Sequence, residues 1–377
     1  MSFLRYAALN VVGTLSRFFP WPCKTGLVEL GRPDRDSPVL VTCNYRLTVE
    51  RVRKALRGVN AYLLVANSRG INVWCAATGG LLTDHDVLSA LKTTGIENRV
   101  DHRRIIMPQL AATGVETRVV EKKSGWRVVW GPVYAKDIPD FLDAEAVRGG
   151  KLREVHFPWV QRLEIAAAWA FPISLILGLA LAILWREAVL SGLLLVWGLC
   201  IFTYLAFPLS ERWLGVGAKG GLRVLGVLAV VWLVLVVGFF VPISVLGGMG
   251  WVLSLRWGVL SLVVVLVLGV DLLGSTPIYK SGLHEDRLLK VFLDQGRCRG
   301  IGNCEDVCPR QCYDVDREFH RAYMPRAEKC VQCGACIVQC PCDALSFEAP
   351  RGGTIPPETI RRFKLNLMGK RVEKQEG

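Results

Sequence analysis

Nine of the 13 cysteines fall between Cys298 and Cys342, and the other four, Cys23, Cys43, Cys75 and Cys200, are scattered. A disulfide framework spreads its cysteines through a small secreted domain. A dense run at short fixed spacings is instead a set of thiolate ligands in a reducing compartment. Cys330-x2-Cys333-x2-Cys336-x3-Cys340-Pro341 has the full bacterial ferredoxin spacing. Three closely spaced thiolates wrap one iron–sulfur cube, and the fourth, just before proline, reaches a second cluster. Gly334 lets the backbone turn tightly around the inorganic sulfides. Zinc takes four thiolates or imidazoles, often in separated pairs, so a four-cysteine run ending in Cys-Pro points to iron and sulfide.

An upstream run repeats the pattern incompletely: Cys298, Cys304 and Cys308-Pro309. Aligned on Cys308-Pro309, Ile301 stands where the second cysteine belongs. With the ferredoxin cross-over, Cys308, Cys330, Cys333 and Cys336 would hold one 4Fe–4S cluster. Cys298, Cys304 and Cys340 would hold the other. Three thiolates suit a 3Fe–4S cluster; Cys312, four residues beyond Cys308, is the alternative fourth ligand that would make it 4Fe–4S. Cys342 enters neither count and reads as a buried thiol or a metal-relay thiol. Cys75 lies in Asn72-Val73-Trp74-Cys75-Ala76-Ala77. Taken alone, this is a strand ending in small buried residues. No His or acid stands at a nucleophile-activating spacing from it.

The elements that must position these residues fall into three blocks. Of the 377 residues, 51 % are hydrophobic and 21 % charged, with a net charge of +13. That excludes a disordered tail and fits an ordinary cytosolic enzyme poorly; the basic excess reads as anionic lipid and positive-inside loops. Residues 1–155 look soluble. Strand candidates are Pro38–Cys43, Ala61–Ala66, Ile71–Cys75, Arg103–Met107, Thr117–Val120 and Trp126–Trp130. Helices are expected over Leu47–Leu56, from a capping box at Thr83 through Leu91, and over Asp137–Val147. Alternation of this kind predicts an α/β, Rossmann-like domain with a parallel sheet. Ligands of such sheets sit at the carboxyl ends of strands, where Cys43 and Cys75 would lie. Met1–Phe19 reads as an amphipathic interfacial helix rather than a signal peptide.

Residues 164–273 contain only nine charged side chains. Four spans are expected, near 165–185, 188–207, 223–243 and 253–273, since a crossing needs about 20 helical residues. A short fifth segment near 241–250 is the alternative. The 208–222 loop, with Arg212 and Lys219, and the flanks at Lys151, Arg153, Lys280 and Arg287 are basic. Both soluble ends would then face the cytoplasm from a multi-pass inner-membrane bundle. Residues 285–377 make an α+β iron–sulfur domain of the two-cluster ferredoxin kind, with a basic tail. The tail lacks stacking aromatics, so it is read as lipid-facing and not as a nucleic-acid site.

The run Asn72-Val73-Trp74-Cys75-Ala76-Ala77 resembles the signature of the HgcA family, the corrinoid proteins of microbial mercury methylation. That family joins a corrinoid-binding domain to a membrane domain, and its partner HgcB is a two-cluster ferredoxin. The three blocks here resemble an HgcA–HgcB fusion across nearly the whole chain. The resemblance implies corrinoid (cobalamin) binding at residues 72–77, with Cys75 as the lower axial ligand of cobalt. It also implies methyl transfer to Hg(II), with the ferredoxin half reducing the cobalt. A thiolate donates more electron density than an imidazole, as in thiolate-ligated haem. Implied partners are membrane lipid, Hg(II) or another methyl acceptor, a methyl-donating corrinoid methyltransferase and an electron donor. Two alternatives are a corrinoid methyltransferase with a non-mercury acceptor and a membrane-anchored electron carrier. The chain departs from the family where Thr78-Gly79-Gly80 replaces Gly-Lys, and residues 348–377 contain no cysteine.

Overall fold

The computed structural model describes residues 3–143, 150–210, 220–237, 250–272, 289–350, 352–365 and 371–373. The chain divides into two compact units. One comprises Met1–Leu9, Phe19–His156 and His284–Gly377; the other comprises Asn10–Phe18 and Phe157–Leu283.

The first unit is built on a five-stranded sheet in the order β1-β3-β2-β4-β5. The strands are β1 (Gly26–Leu30), β2 (Val39–Cys43), β3 (Ala61–Ala66), β4 (Arg104–Pro108) and β5 (Arg127–Gly131). β2, β3, β4 and β5 run parallel. Every residue of β2 and β3 is buried, as a central strand covered on both faces requires. The edge strand β1 pairs antiparallel with β3, so the sheet is mixed and not wholly parallel. The helices of residues 1–143 are α1 (Phe3–Leu15), α2 (Arg46–Ala55), α3 (Val73–Thr78), α4 (Asp84–Thr94), α5 (Thr117–Ser124) and α6 (Ile138–Asp143). The Asp86 carboxylate accepts from the N–H and hydroxyl of Thr83, both at 2.8 Å, at the start of α4 as expected.

Two strand expectations are corrected. Residues 73–78 are helical, because the Asn72 side chain caps a turn that Ala76 and Ala77 propagate well. Thr117–Val120 opens α5, which buries Val120 and stops at Gly125, φ +72°. The β-branched residues at both places favour strand locally, and tertiary context overrides them.

The cysteine-rich part of this unit has a three-stranded antiparallel sheet, β10-β9-β6, and a hairpin, β7–β8. These are β6 (Lys290–Leu293), β7 (Asp314–Asp316), β8 (Arg321–Tyr323), β9 (Leu345–Glu348) and β10 (Thr354–Ile355). In the second unit, α7 (Trp159–Leu184), α8 (Val189–Leu205), α9 (Phe207–Ser210), α10 (Gly220–Leu235) and α11 (Trp251–Leu272) surround one apolar core. Among the described residues three helices are long and apolar enough to cross a membrane: Trp159–Leu184, Arg186–Leu205 and Trp251–Gly269. The expected span 223–243 is described only to residue 237. Residues 211–219 of the expected 208–222 loop, and most of the alternative fifth segment near 241–250, lie outside the described residues. Ile176, Leu179 and Ile183 stand exposed along α7, the side-chain chemistry of a helix solvated by hydrocarbon. Trp185, Arg256 and Trp257 cluster, with ring centroids 5.3 Å apart and the guanidinium 5.4 Å from the Trp185 ring. Such groups belong at a membrane–water boundary.

Two short helices carry the repeated cysteine pattern: α12 (Asn303–Val307) and α13 (Ala335–Gln339). Each is entered through a left-handed glycine, Gly302 at φ +94° and Gly334 at φ +79°. Each ends at a Cys-Pro with nearly the same backbone, Cys308 (−77°, 114°) and Cys340 (−74°, 114°). Three residues on, Gln311 and Asp343 both adopt positive φ, 49° and 51°. The internal duplication suggested by the spacing is therefore present in the backbone itself.

Candidate functional site

The loop from β3 to α3 is fastened by Asn44, one residue beyond β2. Its Oδ1 accepts from the N–H groups of Ser68 and Gly70, both at 2.9 Å. The Ser68 hydroxyl donates to the Ile71 carbonyl at 2.7 Å. Gly70 has φ +72°, and a Cβ there would meet Pro22 N at 2.5 Å, so only glycine fits. The loop thus delivers Asn72 at a fixed place, and its Oδ1 accepts from the Cys75 N–H at 3.0 Å. Val73, Trp74, Ala76 and Ala77 are buried, whereas Cys75 is exposed. The turn therefore anchors itself by four side chains and presents one thiol, beyond the carboxyl end of β3. Cys43, the other cysteine expected there, is fully buried, and burial pushes its thiol up. Cys23 is half-buried, is likewise raised, and lies 3.3 Å from the Asn44 carbonyl.

The nine clustered cysteines separate into two groups around two cavities. Cys308, Cys312, Cys330, Cys333 and Cys336 line the first. Cys298, Cys304, Cys340 and Cys342 line the second, together with Ile301. The division follows the cross-over expected from the spacing. Cys312 lies with the first group, so the structure does not bring it to the cavity whose ligand is missing. Among the described residues no three Cys, His, Asp or Glu side chains converge on a single-ion position; the sulfurs instead ring wider spaces.

Backbone N–H groups aim at these sulfurs: Cys312 at Cys308 (3.2 Å), Gln332 at Cys330 (3.3 Å), Ala322 at Cys298 (3.4 Å) and Ala344 at Cys340 (3.4 Å). The Tyr313 hydroxyl donates to Cys336 Sγ at 3.2 Å. Donors aimed at sulfur stabilise thiolate charge. The thiols themselves respond in both directions. Burial pushes Cys304 up to about 12. The neighbouring Cys312 donor lowers Cys308 to about 7, while Cys312 itself is raised by the same contact.

Both short helices pack on the 3-10 turn Gln109–Thr113 that follows β4, and α3 packs on the same turn. Gln339, 3 % exposed, donates from Nε2 to the carbonyls of Ala112 (2.8 Å) and Val115 (2.6 Å). Its Oε1 accepts from the Thr117 N–H (3.2 Å) and hydroxyl (2.9 Å). Gln109 donates to the Val307 carbonyl. Arg153 pairs with Asp306 at 2.7 Å, and Lys364 Nζ donates to the Thr113 carbonyl at 2.7 Å. A Cβ on Gly114 would lie 2.7 Å from the Ala77 carbonyl, which shows how closely α3 rests on this turn. The sequence reading missed this seam. Its one signal was a glutamine, Gln339, at the end of an otherwise apolar cysteine-bearing helix.

Residues 18–142 match the family model described as CO dehydrogenase/acetyl-CoA synthase delta subunit. Over these residues the chain resembles a corrinoid iron–sulfur protein family. The acetyl-CoA decarbonylase/synthase complex subunit gamma of Methanothermobacter thermautotrophicus is 40 % identical over 126 residues, 33 % of this chain and 27 % of the relative. The corresponding subunit of Methanopyrus kandleri is 35 % identical over 130 residues, 34 % and 28 % of the two chains. That of Archaeoglobus fulgidus is 33 % identical over 126 residues, 33 % and 26 %. The chain spans about a quarter of the length of these curated relatives. Cys75, Asn72 and Asn44 lie inside the matched segment; the apolar helices and the two cysteine cavities lie outside it.

Proposed function

We propose that this protein is a membrane-anchored, corrinoid-dependent methyltransferase whose own iron–sulfur clusters reduce its corrinoid. The observation that carries the reading is one exposed thiol, Cys75, on a capped turn that shares its supporting 3-10 turn with both cysteine-bearing helices. The residues suit both groups. Asn72 fixes the turn, buried Val73, Trp74, Ala76 and Ala77 hold it, and exposed Cys75 would supply a thiolate to cobalt. Cys308, Cys330, Cys333 and Cys336 suit a cubane, and the N–H donors around them offset its negative charge. When bound, the corrinoid supplies a cobalt centre able to take up and release a methyl group. A Cys75 thiolate would make such a centre electron-rich and would so favour methyl release as a carbanion equivalent. The seam through Gln339 and Gln109 joins the cysteine-bearing helices to the turn beneath α3, which would spare electron transfer a diffusive docking step.

We assign Hg(II) as the methyl acceptor, because a soft electrophile suits a carbanion equivalent and because the run at residues 72–77 and the block order both resemble the mercury-methylation family. The relatives, subunits of acetyl-CoA decarbonylase/synthase complexes, favour a second reading, an acceptor in acetyl-CoA chemistry. The packing of the soluble parts before and after the apolar helices in one unit supports an even number of crossings between them. We place four spans there, Gly220–Leu235 opening the third, with both soluble parts on the cytoplasmic face. The test is methylmercury formation from Hg(II) by the wild type and by Cys75→Ala. The reading requires loss of product in the variant; equal yields refute it. Methyl transfer without methylated mercury would favour the second acceptor.

A further inference from the structure

The two cysteine cavities are related by the internal duplication, and the relation bears on a residue that ferredoxin spacing leaves without a role. Cys308-Pro309-Arg310 in one half corresponds to Cys340-Pro341-Cys342 in the other. The matched Cys-Pro backbones, the matched positive φ at Gln311 and Asp343, and the matched N–H···Sγ contacts fix that correspondence. Arg310 lines the first cavity and Cys342 lines the second, so this position faces the cluster space in both halves. The first cavity has its four regular cysteines in place. The second has Cys298, Cys304 and Cys340, with Ile301 at the vacated ligand position. Ile301 itself lines this cavity and is 51 % exposed. Cys342 is half-buried and lines the same cavity as Cys298, Cys304 and Cys340.

We infer that Cys342 is the fourth protein ligand of the second cluster, replacing the cysteine lost at Ile301 and making that cluster 4Fe–4S. The inference rests on the iron–sulfur reading above. It differs from both ligand sets drawn from spacing, one with three cysteines and one completed by Cys312. Binding displaces the Cys342 thiol proton and forms an iron–sulfur bond; no electron is gained or lost.

The test is iron content and electron paramagnetic resonance of the full chain, purified anaerobically in detergent and then oxidised. The wild type is expected to hold about eight irons and to lack the paramagnetic signal of an oxidised three-iron cluster. Cys342→Ala is expected to fall to about seven irons and to gain that signal, while the first cluster is retained. Adding Ile301→Cys to Cys342→Ala restores four cysteines to the cavity and is expected to remove the signal again. A wild type that already shows the three-iron signal overturns the inference. So does a Cys342→Ala variant with unchanged iron and no signal, or one whose iron loss Ile301→Cys leaves unrepaired. Absence of iron from the wild type would overturn the underlying iron–sulfur reading as well, and so is distinguishable from failure of the ligand assignment alone.

Discussion

The seam between the cysteine-bearing helices and the sheet domain turns on Gln339, and Gln339→Ala measures it. Its side chain makes four hydrogen bonds in a buried place: two donated to the Ala112 and Val115 carbonyls and two accepted from Thr117. A buried hydrogen bond contributes about 1 kcal/mol net, and a stranded buried partner costs about 1–3 kcal/mol. Truncation therefore costs about 4 kcal/mol locally. At 1.4 kcal/mol per tenfold, the seam should open roughly 500- to 1,000-fold more often. Hydrogen exchange of the full chain in detergent reads this directly, because the Thr117 amide bonds to Gln339 Oε1 in the closed seam. Its exchange should accelerate by about two to three orders of magnitude, while amides of β2 and β3 are unchanged. Gln339→Glu should do no better, since a carboxylate cannot donate to the two carbonyls. Less than a fivefold change at Thr117 in Gln339→Ala would refute the claim that this residue holds the two parts together.

Other perturbations separate the parts of the site. Gly114→Ala would bring a Cβ within 2.3 Å of the Leu82 carbonyl and 2.7 Å of the Ala77 carbonyl; it should displace α3 and abolish corrinoid retention, and a cobalt content equal to wild type would contradict that. Tyr313→Phe removes the hydroxyl that donates to Cys336. The first cluster should then titrate about 40 mV lower, the equivalent of about 1 kcal/mol for one electron; an unmoved potential would contradict that. Burial pushes the Cys43 thiol up, so it stays protonated through neutral pH and gains reactivity only as pH rises toward its raised value. Alkylation of corrinoid-free protein near pH 8 should therefore mark exposed Cys75 and spare Cys43, read by mass spectrometry of the two peptides; equal labelling would contradict the arrangement.

The sequence carried the parts of this architecture that obey local rules. The largely apolar runs of β2 and β3, the Thr83–Asp86 helix start and the cross-over of the cysteine run all have short-range signatures. The edge strand β1 was missed because Gly26–Leu30 is brief and half-exposed, and its pairing with β3 is a tertiary event. Residues 71–75 were read as strand because Ile71, Val73 and Trp74 favour it. One side-chain acceptor, Asn72 Oδ1, reverses the outcome. Gln339 marks a polar place in an apolar helix, but its partners across the seam are not legible, since Gln339 and Ala112 are 227 residues apart and only folding brings them together. Cys342 was left without a role for a related reason. Spacing rules count cysteines along the chain, whereas the duplication shows which positions face a cavity.

The most direct test of the account is the cobalt content and first coordination shell of protein purified anaerobically with cobalamin supplied. The account requires about one cobalt per chain with a sulfur ligand in X-ray absorption, and loss of that sulfur in Cys75→Ala. Iron without cobalt, or cobalt whose ligands are unchanged by Cys75→Ala, would contradict it and leave a membrane-tethered electron carrier.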